Sequence, residues 1–289
     1  MVNADIQPKS EGEIAMATVA TDPIRKDGRP DYLSGTPRAH ALDRWIFVFM
    51  AAWFIAIVLT GFIPDSMMKV EMVKAGQRAP FPPVLHVHAV VMGSYMLFLL
   101  TQTWLVATGR SELHRRIGPY GAVLAAALVV VGFILAPTMY RQIWFALQAA
   151  PPEAKDTLRA LNLWMDNILL LQIRIGIVFA ILVTLGVRAR QADSGFHKRM
   201  MIIAPATALP AAFDRISWIP TTMPESPLGP DLYVLFAIAP LFAWDVIRNQ
   251  RIHRAYWTFL AVALPFTLFV HVAWNTPWWH ATAHRIMGV

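Results

Sequence analysis

The chain has 289 residues, of which 56% are apolar and 15% charged, with a formal net charge of +7 and no cysteine. So low a charged fraction excludes an ordinary soluble domain, in which about a quarter of residues are charged. The missing cysteine excludes disulfides, iron–sulfur clusters, thiolate zinc sites and covalent c-type haem attachment.

Residues 1–40 are polar and interrupted by Pro8, Pro23, Pro30 and Pro37. No apolar core follows a charged start there, so the stretch reads as a disordered cytoplasmic tail and not as a cleavable signal peptide. Seven apolar blocks follow, at 45–63, 84–108, 117–139, 164–187, 200–216, 232–247 and 256–274. A helix crosses about 30 Å of hydrocarbon with roughly 20 residues, and these blocks approach that length. The expected fold is an all-α, polytopic membrane bundle of about seven transmembrane helices over 41–277. A short external tail, 278–289, ends the chain.

The first block serves as an uncleaved anchor. The second opens with His86 and His88, which a helix places about 200° apart, so only one of them faces a given interior site. His88 is the deeper and the expected inward one, with His86 at the rim. Gln102 lies near the opposite end of that span. Between the third and fourth blocks, residues 141–164 read as two amphipathic pieces hinged at Pro151 and Pro152 on the outer interface. The fourth block carries Asp166 and Asn167 near its outer end and Arg174 near the midplane, where a charge needs a partner or water. Asp166 is the nearest acidic candidate in sequence, two turns outward and about 80° around the helix. A structural ion pair and the binding of an anionic ligand, such as a propionate or a quinone oxygen, are both open for Arg174.

The fifth block is broken by Pro205 and Pro210 and rich in alanine, which fits either a kinked packing helix or an opened ligand site. Residues 217–230, rich in proline, read as a stiff irregular cap. Asp245 sits at the inner end of the sixth block. The seventh places His271 about one turn from its outer end, at the depth expected of His88, and Trp278 and Trp279 then fall at headgroup level.

The basic residues divide by side. Arg25, Arg44, Arg110, Arg115, Arg116, Arg188, Arg190, Lys198, Arg199, Arg248, Arg251 and Arg254 flank one set of span ends, and the other set is poorer in them. By the positive-inside rule the N-terminus is cytoplasmic and the C-terminus outside. The excess charge therefore reports topology in a bacterial inner (cytoplasmic) membrane and no affinity for nucleic acid. Three tips on that side, "GRSELHRRIG", "RARQADSGFHKRMM" and "RNQRIHRAYW", share arginines followed by a histidine. Contact with lipid phosphate accounts best for His253 and stands level with a ligand role for His114 and His197.

Histidines thus gather near both faces on different helices: His88 with His271 outside, His114 with His197 inside. Two stacked imidazole pairs suit axial ligation of haem b, with Arg174 balancing propionate or quinone charge. The same residues allow an alternative, a zinc site from His86, His88, His271 and Asp166 serving an intramembrane hydrolase.

The stretch over 84–216 resembles an uncharacterised family of bacterial multi-span membrane proteins. The resemblance is carried by His88, Gln102, Gly109, Arg110, Leu113, His114, Arg115, Gly118, His197, Lys198 and Arg199; it implies a span opening with histidine but no established chemistry. In bundle form and paired histidines the chain is also similar to di-haem b-type cytochromes of the ascorbate-reductase kind. The leading expectation is a haem b electron-transfer protein linked to quinone. The alternatives are a non-catalytic accessory or assembly subunit of a larger membrane complex, a zinc hydrolase, and a transporter.

Overall fold

The computed structural model describes residues 30–34 and 40–289, and all regular structure among them is helical. After a single 3-10 turn at Tyr32–Ser34 come α1 (Ala41–Lys74), α2 (Pro83–Ala107), α3 (Ser111–Gln148) and α4 (Pro152–Ala189). They are followed by α5 (Ser194–Ala206), α6 (Pro210–Phe213), α7 (Leu228–Asn249), α8 (Arg254–Ala273) and α9 (Pro277–Met287).

Local chemistry sets the helix starts. The His40 N–H donates to Asp43 Oδ2 at 2.7 Å, closing the first turn of α1. Pro83, Pro152, Pro210 and Pro277 occupy the opening turns of α2, α4, α6 and α9, where a missing N–H costs nothing. Asp193 caps α5 by accepting from Phe196 N–H at 2.7 Å. Thr276 does the same for α9 through Trp279 N–H at 3.2 Å.

Among the described residues, six helices, α1, α2, α3, α4, α7 and α8, are long and apolar enough to cross a membrane, which makes this a multi-pass helical membrane fold. Short connections turn the chain back between α1 and α2, α2 and α3, α3 and α4, and α7 and α8. We call the end where α1 begins proximal and the other end distal. α4 is central, packing on α3, α5, α8 and α9, while α2 and α3 are the least buried of the long helices. Their outward side chains, among them Val90, Leu97, Tyr120, Val123 and Val130, are exposed and apolar, as lipid contact requires.

The block at 200–216 differs in form from its neighbours. It is the 13-residue α5, then a turn, then the four-residue α6, and nearly all of α5 from Arg199 onward is fully buried. Its two ends are tied to opposite ends of the bundle. Asp193 pairs with Arg254 at 2.9 Å proximally, and Arg215 pairs with Asp65 at 3.2 Å distally. The broken chain therefore runs from one end to the other through the interior.

Other expectations change as well. Residues 141–164 are not separate interfacial pieces: α3 runs on to Gln148 and α4 starts at Pro152, each continuous with its apolar stretch. The C-terminal tail is the helix α9, in which Trp279 is buried while Trp278 is exposed. The Pro30–Ser34 part of the N-terminal segment is docked on the bundle, with Leu33 buried; the remaining residues before 40 lie outside the described residues.

Candidate functional site

At the proximal end, His114 stands on the first turn of α3 and His197 on the first turn of α5, with ring centroids 6.4 Å apart and planes at 71°. His197 Nδ1 lies 2.9 Å from the Gly186 carbonyl oxygen at the end of α4. A carbonyl only accepts, so Nδ1 carries the proton and Nε2 keeps its lone pair in the neutral ring. The His114 ring faces the main chain of Gln102 on α2. Three buried polar atoms here have no hydrogen-bond partner: His114 Nδ1 and both amide atoms of Gln102. Each such atom costs about 1–3 kcal/mol when left unpaired.

Beside the pair lies a buried ion cluster. Arg199, fully buried, donates Nε and Nη2 to Asp245 at 2.5 and 2.7 Å, and Nη1 and Nη2 to Asp31 at 2.9 Å each. Asn249 Nδ2 bridges the two carboxylates, at 2.6 Å to Asp245 and 3.2 Å to Asp31. Burial by itself would raise the Asp31 pKa, but the Arg199 guanidinium outweighs it and holds the carboxyl well below the usual carboxylate range. His253 is buried and caps α8, its Nδ1 accepting from Ala255 N–H at 3.0 Å. That corrects the expectation that His253 meets lipid phosphate.

The distal end holds two more clusters, and they redistribute the expected partners. Arg174 pairs with Asp231 on α7 at 2.5 Å and also donates to Thr267. Its partner is therefore Asp231 and not Asp166, an ion pair of the kind left open beside an anionic ligand. His271 Nε2 contacts the same Asp231 at 2.8 Å. Asp166, fully buried, accepts from Tyr140 O–H at 2.6 Å and from His280 Nδ1 at 2.8 Å, with His284 Nε2 3.7 Å away. Trp279 Nε1 donates to the Asp166 backbone oxygen at 2.8 Å.

The two members of the expected distal pair are carried by different parts of the bundle. His88 is on α2, which packs on α1 and α3, whereas His271 is on α8, which packs on α4 and α5. His88 is half-buried with an unpartnered Nδ1, and His86 is exposed, facing the Phe81 ring. The zinc set of His86, His88, His271 and Asp166 is likewise scattered. Among the described residues, no group of three or more His, Asp or Glu is placed to hold a metal ion. A surface groove of about 520 Å³ lies elsewhere, between α2 and α3 near Pro82, Pro137 and Arg141.

Sequence reasoning missed Asp31, Asp231, His280 and His284. The i, i+4 spacing of His280 and His284 in "HATAH" was a legible sign of a shared helix face. Asp31 and Asp231 sit in polar, proline-rich surroundings that give no such sign. With the fold and its clusters placed, no protein-family model, curated protein or solved structure matches the chain.

Proposed function

We propose that this is an electron-transfer protein of a bacterial inner membrane that holds one haem b between His114 and His197. The observation that supports the reading is the facing imidazole pair with its unpartnered polar neighbours. His114 and His197 are the residues that would hold the haem iron, and their rings lie close to one another, with centroids 6.4 Å apart. The Gly186 carbonyl fixes the His197 tautomer that presents Nε2, the usual outer-shell support of a ligating histidine. When bound, the haem supplies a one-electron couple. The protein's part is to orient the two rings at the starts of α3 and α5, with the Gly186 carbonyl fixing one of them.

The reading keeps one pair of the two expected, because His271 is engaged with Asp231 and His88 is carried by a helix with other neighbours. The orientation with the proximal end cytoplasmic follows the positive-inside rule, and the chain then crosses seven times, counting the broken α5–α6 path. A reduced-minus-oxidised absorption spectrum of detergent-purified, haem-supplied protein tests the proposal. The expected result is a b-type α-band that disappears in His114→Ala and in His197→Ala and persists in His88→Ala. A flat spectrum from folded protein, or a band that survives loss of both proximal histidines, overturns it.

A further inference from the structure

Pro30–Ser34 lies on the proximal ends of α5 and α7, and its contacts are specific. Asp31 closes its own turn, accepting from Ser34 Oγ at 2.7 Å and Leu33 N–H at 3.2 Å. Its two carboxylate oxygens meet the two terminal nitrogens of Arg199. Tyr32 N–H donates to Asn249 Oδ1 at 3.0 Å, Lys198 Nζ donates to the Leu33 carbonyl at 3.4 Å, and Arg248 lies over the Tyr32 ring at 4.8 Å. Leu33 is only 1% exposed.

Gly195 makes the seat possible. A Cβ there would stand 2.4 Å from Asp31 Oδ2 and 2.5 Å from Ser34 Oγ. The seat also tolerates an empty state. If Asp31 leaves, Arg199 keeps both bonds to Asp245 and its bond to the Gly195 carbonyl, so no buried charge is stranded. A five-residue contact whose removal leaves the remaining ions paired belongs to the low-stability end of a fold.

Gly195, His197, Lys198 and Arg199 occupy the first two turns of one helix, α5. Three of them touch or abut the docked segment, and the fourth is the histidine of the proximal pair. We infer that Pro30–Ser34 is a detachable latch that, through Asp31 and Arg199, sets the position of α5 and hence of His197. Asp31 and Arg199 are positioning residues. The consequence for bound haem rests on the function proposed above, but the latch itself does not.

The test is hydrogen exchange on the full-length protein in detergent, comparing wild type, Asp31→Asn and Gly195→Ala. Alanine favours helix over glycine, so Gly195→Ala cannot loosen α5 through propensity. Loss of a charge-assisted contact is expected to speed exchange about tenfold at residues 32–34 and in the first turns of α5 in both variants. In haem-supplied protein the α-band or midpoint potential shifts in parallel. Exchange at residues 32–34 at the free-peptide rate in wild type overturns the latch, because the segment is then not docked. Release of the segment with α5 protection unchanged overturns the coupling. If wild type shows no haem band, the haem reading fails while the exchange comparison still decides the latch.

Discussion

Asp166 shows how much one buried carboxylate organises. It gathers Tyr140 from α3, His280 from α9 and, through its backbone oxygen, Trp279 also from α9, so two helices meet on one residue of α4. Removing it strands the Tyr140 hydroxyl and leaves His280 without its acceptor, and each buried group so stranded costs about 1–3 kcal/mol. Tyr140→Phe removes one bond and leaves the carboxylate its histidine, a loss of about 1–2 kcal/mol. Thermal unfolding in detergent should therefore rank Asp166→Ala well below Tyr140→Phe, and equal losses would show that Asp166 is not the hub. The partner of Asp166 was misread from sequence because helical position limits which residues on one helix align but does not say which neighbouring helix supplies the counter-charge. Arg174 finds Asp231, 57 positions away.

Among elements, the broken α5–α6 segment packs closely against α1. At Gly61 on α1, a Cβ would lie 2.2 Å from the Ala212 carbonyl oxygen of α6, so the two backbones approach as only glycine permits. Gly61→Ala is expected to cost about 1–3 kcal/mol by overpacking. Gly93→Ala on α2, where a Cβ meets nothing within 4 Å, should be neutral or slightly stabilising. Unfolding midpoints of the two variants check the contrast, and similar values would contradict the close approach. The prolines and alanines of the 200–216 block made a break legible in the sequence. That the broken piece is the most enclosed part of the bundle was not legible, because burial depends on what surrounds a segment.

Over the whole molecule, the charge distribution gives an orientation that can be measured. The chain has no cysteine, so single introduced thiols report cleanly. In intact cells an impermeant thiol reagent should label Glu153→Cys and Glu225→Cys at the distal end and spare Ser111→Cys and Gln191→Cys at the proximal end. The opposite pattern would place the proximal end outside. A mixed pattern would contradict the antiparallel order of the helices.

The sequence by itself determined the class of fold, because long apolar runs have no alternative to membrane helices. It also determined most helix starts, because proline, aspartate and threonine act on their own turn, and it brought His114 and His197 into view through the tips they open. Only the tertiary structure decided the pairings: His271 and Arg174 with Asp231, Asp166 with Tyr140 and His280, and Asp31 with Arg199. These rest on charges meeting across helices far apart in the chain. A buried ion takes whichever opposite charge the packed helices bring within reach, and no local spacing records that choice.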